Sequence, residues 1–265
     1  MKKNFYIINL SLALMIVITA IYGLFVPGSY SYETANWAAQ SMAQDWINLV
    51  IAVPVLLLSL LLANKKPILS SFLWIGDILF IIYSFLIYAF MVHFNQMFIF
   101  YVAILGISTY LLIFNLIRFD FSKVKTLFKE DWSRKTVAKT LIGLGVVFYL
   151  IWLKDALPNA INGTLPKSVI EAGLFTNGVY VIDMALCLPL LIIAGIYLLK
   201  KKTAGYALAG SSMVFAIIMM INIAFIILFV GYKGLPTDYS IAYVFGFLSL
   251  LAIGLTARYF SRFKN

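Results

Sequence analysis

The chain has one cysteine, one histidine and only ten acidic residues in 265. Cys187 has no second thiol to pair with, which excludes an internal disulfide, dithiol redox chemistry and a multi-cysteine metal site. A single histidine, His93, excludes a bis-histidine haem and a two-histidine, one-carboxylate metal centre. There is no glycine-rich phosphate loop, no Gly-x-Ser-x-Gly nucleophile element and no Asp-x-x-x-Asp cluster of the prenyl-transfer kind. Every lysine lies near the end of an apolar run or in a connection, so none is placed for a retinal-type linkage. No metal and no cofactor is expected, and an enzyme acting on membrane lipid is the least supported reading.

Charged residues are also scarce, at 11% of the chain, while 63% are hydrophobic. A soluble domain averages about a quarter charged residues, and one core of this size could not hide so much apolar surface from water. Lipid solvates the excess. The apolar residues fall in runs near the roughly 20 residues that a spanning helix needs: 5–26, 46–64, 68–92, 97–117, 136–153, 176–199, 204–231 and 239–260. No run alternates apolar and polar residues in segments of about ten, as a membrane barrel does. The expected fold is an all-α integral membrane protein with eight transmembrane helices. The first run is too long for the roughly 7–15 apolar residues of a secretory signal, and Thr19-Ala20-Ile21-Tyr22-Gly23 is a poor cleavage site. It is expected to be a retained span.

A net charge of +10 would point to nucleic acid in a soluble protein. Here the positions of the charges decide, and no nucleic-acid partner is expected. With the N-terminus inside, alternate connections hold Lys2 and Lys3, Lys65 and Lys66, the group from Arg118 to Lys139, Lys200 to Lys202, and Arg258, Arg262 and Lys264. Only Lys154, Lys167 and Lys233 fall on the other side. Basic residues stay in the cytoplasm, so both termini are expected there. Dense basic inner loops and short outer ones favour a bacterial cytoplasmic (inner) membrane.

Two connections carry helical patterns. Ala38, Met42 and Trp46 recur every four residues in the outer connection 27–45, which fits a surface helix leading into the second span. In the inner connection 118–135, Phe121, Val124 and Phe128 form one face while Lys123, Lys125 and Lys129 lie elsewhere on the wheel. Such a segment lies along an anionic inner leaflet or offers a docking site for an as yet unspecified protein partner.

Sliding the chain against itself by 135 residues aligns Pro54 with Pro189, Lys65-Lys66 with Lys200-Lys201 and Ala89-Phe90 with Ala224-Phe225. Residues 45–90 and 180–225 agree at 10 of 46 positions without gaps. A tandem duplication is expected, with a first four-helix repeat over 1–117, the basic amphipathic connection over 118–135 and a second repeat over 136–265. Each half has an even number of spans, so the repeat is parallel, about an axis normal to the membrane.

A carboxylate at the centre of a span costs roughly 2.5–3.5 kcal/mol on insertion scales and usually has a use. Asp77 lies ten residues into the third span. Asp45, Asn48, His93, Asn95 and Asp183 fall in the outer half, Tyr83 and Tyr88 lie above Asp77, and Asn222 is well inside the seventh span. These nine are the candidate ligand-binding residues. In one reading they line an outward-facing polar cavity between the halves, which binds or moves a small solute or cation, with Asp183 and Asp77 as anionic ligands or proton carriers. In the other they only hydrogen-bond helices together. Pro54 and Pro189 are candidate hinges, because a proline frees a backbone carbonyl and kinks its helix. A sensor or assembly partner using the basic connection is the alternative function.

Gln44-Asp45-Trp46 through Pro54, continuing to Tyr88-Ala89-Phe90 and His93-Phe94-Asn95, form one distinctive stretch. Val181-Ile182-Asp183 through Pro189, Gly205-Tyr206 and Gly210 form another. Together they resemble a group of uncharacterised bacterial polytopic inner-membrane proteins of about eight spans. The resemblance covers about half the chain and implies no activity and no residue roles.

Overall fold

A computed structural model describes residues Lys3–Lys264; Lys2, counted above with the basic residues, lies outside them. Among the described residues, eight helices are long and apolar enough to cross a membrane, the architecture of a multi-pass membrane protein. Four of them are α1 (Lys3–Phe25), α4 (Pro67–Met91), α5 (Phe98–Ile117) and α7 (Trp132–Asn162). The last two are α11 (Thr203–Tyr232) and α12 (Tyr239–Phe260). The second and sixth spans are composite. One runs through α2 (Ala35–Ile47), a π-helical turn (Asn48–Ala52) and α3 (Val53–Leu62). The other runs through α9 (Gly178–Ile182), a second π-helical turn (Asp183–Cys187) and α10 (Leu188–Leu199). Two short helices, α6 (Phe121–Leu127) and α8 (Lys167–Ala172), lie in connections. No strand occurs among the described residues beyond one antiparallel bridge, Phe128 to Phe263.

The helix ends follow from local chemistry. Thr34 caps α2, Asp120 caps α6, Asp131 caps α7 and Asn177 caps α9, each side chain accepting a first-turn N–H that has no partner inside its helix. Gly163 and Gly173 close α7 and α8 in the left-handed conformation, which glycine adopts without cost. Three boundaries differ clearly from the expectation. The fifth span starts at Trp132, where Asp131 accepts from Ser133 N at 2.9 Å. It also runs nine residues past 153, through Pro158, until Gly163 stops it. In the second span, no glycine or proline interrupts 35–53, so the surface helix expected before the span is its first part.

Two compact units emerge. The first takes the described residues up to Phe119 together with Val214–Gly254; the second takes Asp120–Met213 and Leu255–Lys264. In the first, α4 is the most deeply buried span, packed against α3, the first π-turn and α5. In the second, α7 and α10 form the main contact. Their backbones approach at two glycines: a Cβ on Gly145 would sit 2.6 Å from Ile192, and one on Gly195 would sit 2.6 Å from the Ala138 carbonyl oxygen. Small residues permit this closeness where lipid offers no hydrophobic drive between helices.

Candidate functional site

Asp45 is 2% exposed and held from both sides. Tyr30, in the turn before α2, donates its hydroxyl to Oδ2 at 2.7 Å, and Tyr88 on α4 donates to Oδ1 at 2.7 Å. The Tyr88 hydroxyl also lies 3.2 Å from the Ser41 carbonyl, and its ring stacks on Tyr101 at 5.0 Å between centroids. Asn95 reaches the Tyr101 hydroxyl at 3.4 Å. The carboxylate rests directly on α1, since a Cβ on Gly23 would stand 1.9 Å from Asp45 Oδ2. Burial, and then the charge of Asp45, push the Tyr30 hydroxyl well above its usual range, so it stays a donor at any physiological pH. Gly23 and Tyr30 also line an open recess of about 450 Å³, together with the other residues of Gly23–Ser31 and Met42.

One residue before Asp45, Gln44 centres a second cluster. Its Nε2 donates to Asn48 Oδ1 at 3.2 Å and to Ser84 Oγ at 2.9 Å, while its Oε1 accepts from Asn222 Nδ2 at 2.8 Å. All four side chains are buried. Within the first unit this network ties the second span to the third and the seventh. Asn222 Oδ1 has no partner.

Four polar residues of α4 share one face. Ser70, Asp77 and Ser84 recur every seven residues, two helical turns apart, with Tyr88 one turn further along. Ser70 donates to the Ser59 carbonyl at 2.7 Å, and Ser84 and Tyr88 bond as above. Asp77, fully buried, has no hydrogen-bond partner at either carboxylate oxygen. No protein-family model, curated protein or solved structure matches this chain. The chemistry of its side chains therefore carries the functional reading alone.

The second unit holds its own carboxylates. Asp183 Oδ2 accepts from Trp152 Nε1 at 2.8 Å. Trp152 packs on Tyr180 at 4.6 Å, and the Tyr180 hydroxyl donates to Asp155 Oδ2 at 2.6 Å. Around the foot of α7, Glu130 accepts from Arg134 Nε and the Tyr206 hydroxyl, each at 2.6 Å. Asp131 faces Arg258 at 2.8 Å and Arg262 at 3.3 Å. Burial pushes both carboxyls up. Hydrogen bonds and nearby cations outweigh it, from Tyr206 and Arg134 on Glu130 and from Ser133 and Arg258 on Asp131, and hold both below the ordinary carboxylate range. The connection carrying α6 is thereby tied down: Lys129 N donates to the Arg262 carbonyl at 2.8 Å, and Lys264 N to the Leu127 carbonyl at 2.9 Å. Val124 and Phe128 are buried, Phe128 against Tyr206, Tyr259 and Phe263, and Lys123, Lys125 and Lys129 are exposed.

Among the candidates, Asp45 and Tyr88 meet directly. Asn48 and Asn222 meet through Gln44, and Asn95 is linked through Tyr101. His93 instead binds Glu33, its backbone N–H at 2.7 Å and its ring Nδ1 at 3.0 Å. Tyr83 packs edge-on against Phe215. Asp183 belongs to the second unit. Neither Pro54 nor Pro189 interrupts its helix. Each lies second in the α-helix that follows a π-turn, because the wider turn absorbs the misfit of the proline ring. Tyr30, Gly23, Gln44 and Trp152 were not among the candidates. Only Gln44 left a usable signal, standing one turn before Asn48 on the same face.

Proposed function

We propose that this chain is a multi-pass protein of a bacterial cytoplasmic membrane, with both termini inside, that binds or moves a small solute or cation through the polar interior of its first unit. The observation that carries the reading is the Asp45 carboxylate, gripped by Tyr30 and Tyr88 behind the recess at Gly23–Ser31. A buried acid beneath an open, partly polar recess attracts a cationic or hydrogen-bond-donating solute, and Tyr30 lines both. Further support comes from the bond between Asn222 and Gln44, which joins helices from the two sequence halves inside one polar network.

We also infer that the chain arose by tandem duplication. The two π-turns, Asn48–Ala52 and Asp183–Cys187, are offset by the same 135 residues as the sequence repeat. In each, the residue after the turn bonds five residues back: Val53 N to Asn48 O, and Leu188 N to Asp183 O.

The test is a thermal-shift screen of the detergent-purified chain against small cationic and zwitterionic solutes, followed by uptake into liposomes. A solute that stabilises the wild type is expected to lose its effect in Asp45→Asn and to weaken in Tyr88→Phe. If both variants respond to every active solute as the wild type does, Asp45 is only a helix tie and the reading fails.

A further inference from the structure

Among the described residues of the first unit, Asp77 is the one buried carboxylate with no hydrogen-bond donor. Its position is fixed by the ladder between α4 and the composite second span. Met91 pairs with Trp37, Tyr88 with Ser41, Ser84 with Gln44 and Ser70 with Ser59. The residue numbers in each pair add to 128 or 129, so Asp77 stands level with Ile51 and Ala52, at the end of the first π-turn. The π-turn packs on α4, and Ala52 is fully buried there.

At that level the backbone has acceptors to spare. Val53 N–H goes to Asn48 O, which leaves the Leu49 carbonyl without its α-helical donor. Pro54 has no N–H, which leaves the Val50 carbonyl without one as well. Free carbonyls at membrane depth are tolerated only inside protein or facing a polar cavity, and interrupted spans use them to hold cations. Among the described residues, the elements that pack on or beside α4 offer few ionisable groups. α3 and the π-turn have no ionisable side chain, and α5 has only Tyr101, stacked at Tyr88, and Tyr110, which is exposed. On α1 the ionisable groups are Lys3, Tyr6 and Tyr22, and on α2 there is only Asp45, engaged at the level of Tyr88. The stretch of α11 in the first unit carries Tyr232 alone, at its far end. Among the described residues no group of three His, Cys, Asp or Glu side chains could hold a metal, so a divalent ion here would remain half-neutralised.

We propose that Asp77 and the first π-turn form a site for one monovalent cation, at which an alkali ion and a proton compete. One carboxylate neutralises one such charge, and the carbonyls left without α-helical donors supply neutral oxygen ligands. The proposal rests on the chain being membrane-spanning but not on the role of Asp45, so either can fail without the other.

The test uses the full chain in nanodiscs and dicyclohexylcarbodiimide, a hydrophobic reagent that labels protonated carboxyls, with the adduct mapped to Asp77 by mass spectrometry. At fixed pH and ionic strength, labelling is compared in choline, lithium, sodium and potassium chloride. A bound alkali ion at roughly ten times its dissociation constant leaves about one-tenth of the sites free, so labelling is expected to fall about tenfold in at least one alkali salt. Pro54→Ala restores a backbone donor and is expected to raise the protecting concentration. Thermal stability gives a readout that needs no reagent: the same salt should stabilise the wild type over choline and leave Asp77→Asn unmoved. Labelling and stability that follow pH alone, identical in choline and every alkali salt, would make Asp77 a plain proton site and overturn the proposal.

Discussion

Gly23→Ala is the most informative single change in the Asp45 site. The added methyl would stand 1.9 Å from Asp45 Oδ2, 2.8 Å from its Cγ and 2.7 Å from the Tyr30 hydroxyl. Ordinary contact needs about 3.5 Å, so the carboxyl group must move by roughly 1.5 Å. A move of that size stretches the two 2.7 Å bonds from Tyr30 and Tyr88 beyond hydrogen-bonding range. Leaving a buried hydrogen-bonding group without its partner costs about 1–3 kcal/mol, which gives a loss of about 2–6 kcal/mol for the two bonds. Alanine recovers about 1 kcal/mol of helix propensity over glycine, leaving a net loss of about 1–5 kcal/mol. The assay is equilibrium unfolding in mixed detergent micelles, with Gly106→Ala as control because a Cβ there meets nothing within 4 Å. The control should be neutral or slightly more stable than the wild type. In an Asp45→Ala background the carboxylate is gone, and Gly23→Ala should then cost little, a non-additivity characteristic of direct contact. If Gly23→Ala tracks Gly106→Ala in the wild-type background, the carboxylate does not rest on Gly23 and the geometry of the site is wrong.

Asn222→Ala should cost about 1–3 kcal/mol by leaving Gln44 Oε1 buried without its donor; the cost should shrink in a Gln44→Leu background, measured in the same unfolding assay. Trp152→Phe removes the N–H that binds Asp183 and should cost a similar amount, with Trp152→His partly restoring it. The clamp on the α6 connection should be sensitive to acid. Glu130 and Asp131 are held below their ordinary values, so their stabilisation is complete above about pH 4–5 and fades as pH falls through the lowered values. Hydrogen exchange at Lys129 and Lys264, corrected for intrinsic rate, should therefore accelerate between about pH 5 and pH 3. The double variant Glu130→Gln, Asp131→Asn should already be fast at the upper pH, and equal protection in both proteins would refute the clamp.

Much of the scaffold could be read from the chain because the signals were local. Apolar runs marked all eight spans, and the charge-poor interior made Asp45, Asp77 and Asn222 conspicuous. What escaped was whatever depends on contacts between distant segments. Nothing in residues 27–34 marks Tyr30 as the ligand of an acid fifteen residues on, and Glu33 meets His93 across 60 positions. Gly23 reads as an ordinary small residue until Asp45 is placed beside it. The extension of α7 was hidden for a different reason. Lys154 and Asp155 lower the hydropathy and look like the end of a span, but a drop in hydropathy ends only the apolar stretch. The helix continues until Gly163 provides a left-handed residue. The prolines showed where the backbone is irregular, but whether the irregularity is a kink or a wide turn depends on which carbonyl the preceding N–H selects.

That choice separates the two π-turns functionally even though their backbones agree. Around the second, Met184 and Ala185 are left without α-helical donors just as Leu49 and Val50 are, because Leu188 bonds Asp183 and Pro189 has no N–H. The side chains differ. Tyr180 stands where the 135-residue register puts Asp45, and Ser212 stands where it puts Asp77. Only the first turn thus combines spare carbonyls with an unpaired acid. A one-residue deletion exploits this difference. Val50 is 49% exposed, and the anchors on either side, Tyr88–Asp45 before the turn and Ser70–Ser59 after it, hold the helix in register. Deleting Val50 should let the turn close to an α-helix, with Pro54 still costing one bond but only one carbonyl left free. Deleting Ala185 should do the same for the second turn. Both proteins are expected to fold with unchanged helix content by circular dichroism, but only the Val50 deletion should weaken alkali protection of Asp77. Equal protection in both would mean that the carbonyls of the first π-turn contribute nothing at Asp77, and the acid would then have to find its counter-charge elsewhere.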